Sequence, residues 1–460
     1  MISINDAAAP AAQREGMEQA LLARYDRPLP RYTSYPTAPH FSAATGAKDH
    51  ALWLAAIPPG ARASLYLHVP FCRTMCWFCG CTTSAVHSVG ALERYAAALE
   101  TEIGRVAAAI GHRLPAGQIH WGGGTPTALP APLLRRVHAA LARHFALDDT
   151  TEIAIEIDPR TLPDDATALL RDLAVTRVSL GVQDFAPAVQ AAIGRHQSVA
   201  QTKAAADAAR AAGIASVNFD LVYGLPFQTI DSLEATIGEV LALGPDRIAL
   251  YGYAHVPWTR KRQQVIAERA LPDVAARFAQ QQRAAELLVA AGYRRIGLDH
   301  FARPEDAMAR AAGTGALRRN FQGYTVDPSD LLIGLGASAI SFLPQGYAQN
   351  AVGTQPYLAA IEAGALATAK GLALDDEDRL RGAIIERLMC DLEVDLAAFG
   401  ADPARFAGEC AALAPLESDG FLHREGSRII VTEAGRPFLR HAAAAFDAWL
   451  GQAGRHAAAI

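Results

Sequence analysis

The chain has 460 residues, 51% of them hydrophobic and 19% charged, which is ample for a large core, wrong for disorder, and enough for about three domain-sized pieces. Its 42 Lys and Arg against 47 Asp and Glu give a net charge of −5, which excludes a chain that coats itself on nucleic acid or anionic lipid and leaves local patches open. Of six cysteines, four fall within ten residues, Cys72, Cys76, Cys79 and Cys81, as metal sites in reducing compartments do, whereas a secreted disulfide framework would scatter them.

In chain order, the opening residues carry Asp6, Glu15 and Glu18 and lack the basic-then-apolar order of a signal peptide. Residues 1–60 show no regular alternation of strand and helix and are expected to form an arm. Within it, Arg31-Tyr32-Thr33-Ser34-Tyr35-Pro36-Thr37 reads as extended, since Pro36 disfavours a helix at Tyr35. Such an arm either packs on the main body or closes over a ligand.

Residues 61–350 read as the main domain. Strands are expected at 64–69, 118–121, 152–158, 177–183, 216–223 and 247–253, with helices between them at 91–110, 130–145, 199–212 and 232–243. That alternation implies βα units and a parallel sheet, either doubly wound or a full or partial barrel. Strands buried on both faces would be continuously apolar, yet several here alternate. Ile153, Ile155 and Ile157 oppose Glu156 and Asp158, and Phe219 and Leu221 oppose Asn218 and Asp220; Ser179, Gly181 and Gln183 share one face, as do Tyr66 and His68. The polar positions lie towards the C-terminal strand ends, where α/β folds assemble their sites, so the interior is expected to hold ligands. The uncharged run 331–361 is broken by Gly, Ser, Gln, Asn and Pro, so no membrane span is expected; the chain reads as soluble and cytoplasmic.

Residues 351–460 are expected to form a mainly helical C-terminal domain, its character clearest from about 372. Helices are expected at 375–390, 403–413 and 436–450, with a hairpin at 420–432, an order that resembles a winged helix. The stretch is not basic, so packing against the barrel is expected in place of DNA binding.

The segment His68-Val69-Pro70-Phe71-Cys72-Arg73-Thr74-Met75-Cys76-Trp77-Phe78-Cys79-Gly80-Cys81 follows the first strand directly. Structural zinc usually takes two short-spaced ligand pairs separated by a longer loop, and no second pair returns here. A [4Fe–4S] cluster fits better: C-x3-C-x2-C supplies three thiolates and leaves one iron open for chemistry. Cys81 is either a fourth ligand or an unligated thiol.

C-x3-C-x2-C after the first strand of a partial βα barrel is the hallmark of radical S-adenosylmethionine (SAM) enzymes. Within them the chain resembles the oxygen-independent coproporphyrinogen III oxidases. The resemblance rests on RYTSYPT at 31–37, LHVPFC through CGC at 67–81, HWGGGTPT at 120–127, EIDPR at 156–160 and GVQDF at 181–185. It continues through FDLVYGLP at 219–226, YAHVP at 253–257, DHFARP at 299–304 and NFQGYT at 320–325. It implies an α/β fold with a partial (β/α)6 barrel and anaerobic oxidative decarboxylation of two propionates of coproporphyrinogen III to vinyls. The product is protoporphyrinogen IX, and a 5′-deoxyadenosyl radical made from SAM does the work.

By that resemblance Cys72, Cys76 and Cys79 hold the cluster. Gly123 and Gly124 approach the methionine part of SAM, Glu156 accepts from its amino group, Tyr66 and Phe78 border it, and Ile340 packs on the adenine. A competing reading pairs Glu156 with Arg160. A second SAM beside the first would contact Gly124, Thr125, Gln183, Arg195, Asp220 and Ala254; Arg195 otherwise reads as a solvent-exposed helix residue. Tyr66 and Cys81 are the candidate catalytic residues, and Arg31, Arg303 and Arg319 the candidates for the substrate carboxylates. Two departures bear on substrate contacts: Gly252 stands where a larger polar residue is expected, and Arg318 where a His is common. The expected partners are coproporphyrinogen III and an unidentified electron donor and acceptor, with no nucleic acid, no membrane span and a monomeric state. Open alternatives are a haem carrier or haem-modifying radical SAM relative on the same scaffold, and a redox-sensing winged-helix regulator.

Overall fold

The computed structural model describes residues 19–400, 403–452, 457 and 459; residues 1–18, on which the reading against a signal peptide rests, lie outside them. The six expected strands form within two residues of their expected bounds: β1 (Ala63–Val69), β2 (Ala116–Gly123), β3 (Glu152–Ile157), β4 (Arg177–Gln183), β5 (Ser216–Tyr223) and β6 (Arg247–Gly252). Each pairs in parallel with the next. The crossovers carry α1 (Val89–Ile110), α2 (Ala131–His144), α3 (Ala166–Asp172), α4 (Val199–Ala211) and α5 (Ile230–Leu243). Their ends follow local chemistry. Ser88, Ser198 and Thr229 cap the starts of α1, α4 and α5 by accepting from backbone N–H groups, and Gly111 and Gly244 close α1 and α5 in the left-handed region.

The alternation decides what faces where. Leu65, Ile119, Ile155, Leu180, Phe219 and Leu250 enter one core with the helices, each contributing about 1.5–3 kcal/mol by burial. Their neighbours on the other face, Tyr66, Glu156, Gly181 and Asp220 among them, point into the barrel.

The sheet is larger than the six strands. After α6 (Val274–Ala290) come β7 (Arg294–Ile296) and β8 (His300–Ala302), antiparallel beyond β6. On the other side β9 (Leu331–Leu335) adds to β1 in parallel, followed by antiparallel β10 (Ile340–Leu343), β11 (Gly346–Asn350) and β12 (Thr368–Ala373). The twelve strands do not close: the outer ones are β12 and β7. The domain boundary expected at 350/351 is corrected, because β12 belongs to the barrel sheet and the C-terminal domain starts after it. The uncharged 331–361 run is sheet and helix of this domain, and no helix among the described residues is long and apolar enough to cross a membrane.

In the C-terminal domain, α7 (Asp376–Asp391) starts on an Asp375–Asp378 capping box. A three-stranded sheet of Glu393–Asp395, Leu422–Glu425 and Arg428–Val431 contains the expected hairpin. Two helices differ from expectation. The 403–413 helix is a 3-10 turn, Pro403–Phe406, then Ala407–Ala412 and a separate Ala414–Ser418. The 436–450 helix is a 3-10 turn followed by α8 (Leu439–Ala444) only. Past its end the arm takes the segment's polar groups: Ala448 N–H donates to Tyr35 Oη at 3.1 Å, and Tyr32 Oη donates to the Asp447 carboxylate at 3.0 Å.

The arm is bent rather than extended, with Tyr32 at φ +46°. Tyr32 and Tyr35 are buried in the core of the C-terminal domain, while Arg31 donates to the Gly252 carbonyl at 2.6 Å at the barrel mouth. It packs on the body and reaches the cavity at once.

Candidate active site

β1 ends at Val69, and the cysteine loop leaves it as a closed loop: Phe71–Cys72 pairs with Ser84–Ala85. Two residues far along the chain hold it down. Arg262 donates to Thr83 Oγ1 and O at 3.0 and 2.8 Å, and Gln263 to the Phe78 and Ala254 carbonyls at 2.8 and 3.1 Å. Trp77 seats on Gly194, where any Cβ would lie 2.9 Å from its ring.

The loop opens on a cavity of about 550 Å³ at the C-terminal strand ends, lined by Cys72, Cys76, Cys79 and Cys81 together. Phe78, Gly123, Gly124, Thr125, Glu156, Gln183, Arg195, Asp220, Ala254 and Arg31 also line it. A β-bulge between Gly181 and Gln183, with Gln183 at φ +69°, breaks the β4 register there.

Each sulfur of the C-x3-C-x2-C set has a donor. Thr125 Oγ1 lies 3.7 Å from Cys72 Sγ, Arg160 Nη2 and Arg195 Nη1 lie 3.3 and 3.5 Å from Cys76 Sγ, and Cys81 N–H lies 3.4 Å from Cys79 Sγ. Burial pushes the Cys72 thiol up to about 11, whereas the Cys81 hydrogen bond draws Cys79 down despite burial. Donors aimed at sulfur favour thiolates. Among the described residues no three His, Cys, Asp or Glu side chains converge on a single metal-ion position. Three thiols spread around one cavity fit an iron–sulfur cluster, whose protein sulfurs bind different irons.

The two arginines at Cys76 are fixed by Asp158. Arg160 reaches it at 2.6 Å and Arg195 at 3.1 Å, and Arg195 also donates to Gln197 at 2.9 Å. Burial opposes ionisation of Asp158, but the Arg160 hydrogen bond and the Arg195 charge hold its carboxyl below the usual range. Arg195 is buried, not an exposed helix residue, and much of its bonding capacity is already engaged. Arg160 does not pair with Glu156, which instead accepts from His120 Nε2 at 3.0 Å and Gly123 N–H at 3.1 Å. Asp220 accepts from Ser179 and Asn218, both at 2.8 Å, and burial raises its pKa.

The glycine run also makes room within the chain itself. A Cβ on Gly122 would lie 2.6 Å from Glu156 Oε1, on Gly123 2.7 Å from the His68 ring, and on Gly124 2.5 Å from the Phe71 carbonyl oxygen. These glycines make room for the chain's own groups, and Gly123 and Gly124 line the cavity.

Four expected residues lie outside the cavity lining. Tyr66 packs against Gly122, its hydroxyl 3.0 Å from His68 Nδ1. Ile340 is on β10, two strands from β1. Arg303 donates to the Pro245 carbonyl at 3.3 Å and stacks over Tyr293, at the start of β6. Arg319 lies over Tyr324 and donates to the Arg31 carbonyl at 3.3 Å, so it supports the arm. Arg318 ties its strand to α7 through Glu386 at 3.0 Å. Asp158, His120, Arg262 and Gln263 were given no site role by the sequence reading. Asp158 lies on the polar strand face and in the EIDPR motif, and His120 opens the HWGGGTPT motif; nothing local marks Arg262 or Gln263.

The Radical SAM superfamily matches residues 66–240, and the HemN C-terminal domain matches 374–438. The oxygen-independent coproporphyrinogen III oxidase of Bradyrhizobium diazoefficiens is 51% identical over 426 residues, covering 92% of this chain and 95% of that protein. That of Pseudomonas aeruginosa is 40% identical over 439 residues, covering 94% of this chain and 95% of that protein. The solved coproporphyrinogen III oxidase of Escherichia coli, described as a radical SAM enzyme, superposes with a TM-score of 0.88 at 36% identity, covering 94% of this chain and 99% of that one. Similarity of this extent, over a barrel with its three thiols on one cavity, means that the chain belongs to the oxygen-independent coproporphyrinogen III oxidase family of the radical SAM superfamily.

Proposed function

We propose that this chain converts coproporphyrinogen III to protoporphyrinogen IX without oxygen. The observation that carries the reading is the cavity at the strand ends, where Cys72, Cys76 and Cys79 meet the polar inner face of the barrel. Each of two propionates loses a hydrogen atom from its β-carbon, CO₂, and one electron, leaving a vinyl group. A bound [4Fe–4S] cluster and SAM supply one-electron cleavage and hydrogen-atom abstraction.

The chain's residues bind, orient and shield. Cys72, Cys76 and Cys79 hold the cluster, with Arg160 and Arg195 donating to the Cys76 sulfur. Glu156 receives the amino group of one SAM beside Gly123. A second SAM lies towards Thr125, Gln183, Asp220 and Ala254. Cys81, unligated, faces the substrate. Electrons come from and go to separate partners, and the protein works as a cytoplasmic monomer.

The test is anaerobic. Reconstituted protein with a reductant, SAM and coproporphyrinogen III yields 5′-deoxyadenosine and protoporphyrinogen IX, and Cys76→Ala abolishes both. Tight haem binding without any decarboxylated product would overturn the reading in favour of a carrier.

A further inference from the structure

β3 ends at Ile157 and the chain turns at once. Asp158 caps the 3-10 turn Pro159–Thr161, its carboxylate accepting from the Arg160 backbone N–H at 3.1 Å. The turn folds the Arg160 side chain back on Asp158, with Nε 3.0 and 3.2 Å from the two carboxylate oxygens and Nη2 2.6 Å from Oδ2. Arg195, just past the Pro187–Ile193 helix, meets the same carboxylate from the other side, through Nη2 at 3.1 Å and Nη1 at 3.3 Å. None of the three side chains is more than 10% exposed. Two guanidiniums thus share one carboxylate. Arg195 spends its other donors on the Gly181 carbonyl and the Gln197 amide oxygen, both neutral.

The remaining charge faces sulfur. Arg160 Nη2 lies 3.3 Å and Arg195 Nη1 3.5 Å from Sγ of Cys76, which is buried. The hydrogen-bond donors at the other two thiols are neutral, the Thr125 hydroxyl at Cys72 and the Cys81 N–H at Cys79. One corner of the ligand set therefore differs from the other two. Hydrogen bonds to the sulfurs, local charge and solvent exposure set the potential of an iron–sulfur cluster, and all three converge on Cys76. A cluster that gains one electron gains one negative charge, and cations held nearby out of water favour that state.

We propose that Arg160, together with Arg195 and oriented by Asp158, raises the reduction potential of the cluster through the Cys76 sulfur, and so sets how strong a one-electron donor the chain needs. The step is the passage of a single electron from an external donor to the cluster, with no covalent bond made or broken. Arg160 acts through Cys76 and is a positioning residue. This rests on the reading that Cys72, Cys76 and Cys79 hold the cluster.

The experiment is a redox titration of the reconstituted chain with dithionite, without SAM or substrate. It follows the electron paramagnetic resonance signal of the reduced cluster, with iron content measured alongside. In Arg160→Gln the equilibrium constant for reduction is expected to fall about tenfold, the low end for a hydrogen bond to a charged group, which is a potential lower by about 59 mV for one electron. Iron content stays at the wild-type value, because Arg195 still neutralises Asp158. Arg160→Lys keeps the charge and recovers part of the shift. Thr125→Val, which removes a neutral donor at 3.7 Å, moves the potential less than Arg160→Gln does. A merely structural role would lower iron content and leave the potential of the retained clusters where it was. A wild-type potential in Arg160→Gln overturns the proposal and leaves the cluster reading standing. If Arg160→Gln takes up no cluster, Arg195→Gln removes the other guanidinium from the same sulfur and carries the same expected fall; an unchanged potential there overturns the proposal equally. A wild-type chain that takes up no cluster, or Cys76→Ala with an unaltered one, overturns the ligand reading and the proposal with it.

Discussion

Two buried acids in this barrel have opposite company. Glu102, on α1, is 2% exposed and accepts from Gly336 N–H at 2.6 Å, Asn350 Nδ2 at 2.6 Å and Tyr357 Oη at 2.8 Å. Those three donors are neutral and lie inside the same packed flank, and burial pushes the Glu102 carboxyl up to about 7. Asp158, 9% exposed, holds two arginines whose remaining N–H groups reach past it to Cys76. The first network closes on itself and fastens α1 to β9, β11 and the Thr354–Glu362 helix. The second passes its donors on to a cavity. A buried acid is therefore not in itself a sign of function; the direction of its partners' unspent hydrogen bonds is.

The contrast can be broken at either acid. Asp158→Asn has the largest expected effect, because it leaves two buried guanidiniums without a counter-charge. A loss of about 3–5 kcal/mol in denaturant unfolding is expected, with reduced iron retention after reconstitution. Unchanged iron in a folded variant would place Asp158 with Glu102 as a purely structural acid.

Glu102→Gln tests the closed network through pH. The folded carboxyl titrates near 7, above its unfolded value of about 4.5, so the stability it contributes is full below about 4.5 and is lost as pH rises through about 7. Wild type should therefore lose roughly 1–3 kcal/mol between pH 5 and 8 relative to the Gln variant, read from melting curves. A wild-type curve parallel to that of Glu102→Gln would contradict the assignment. Tyr357→Phe has the smallest effect, about 1 kcal/mol for one lost donor, with iron content unchanged. Any loss of iron in this variant would mean that the flank and the cavity are coupled.

Much of the fold was legible because its signals are local. β-rich runs located all six core strands, period-two alternation in β1, β3, β4 and β5 separated their faces, and the starts of α4 and α5 fell within two residues of where they form. The cysteine spacing marked the cluster loop, since three ligands within eight residues need no help from elsewhere to be near each other. Signals failed where distant groups intervene. The helix expected to reach 450 ends at Ala444, and past its end two arm tyrosines, more than 400 residues earlier, take the segment's polar groups. β9 to β11 went unread as strands because the run 331–361 signals only an uncharged, interrupted stretch; its place beside β1 is a pairing across the chain. Ile340 and Arg303 lie in matched or neighbouring segments, yet the sheet carries one to an added strand and the other to the opposite end of the barrel.

The sequence by itself determined the period of each strand, the residues that share a face, the thiol spacing, the capping chemistry and the family. These depend on covalent order and on backbone geometry repeated every few residues. Only the tertiary structure decided that the glycines at 122–124 accommodate Glu156, His68 and Phe71, that Asp158 directs Arg160 and Arg195 at Cys76, and that Arg31 of the arm reaches the Gly252 carbonyl at the barrel mouth. Such contacts join groups tens to hundreds of residues apart, and their energies depend on distance and desolvation, which come into being only when the chain has packed.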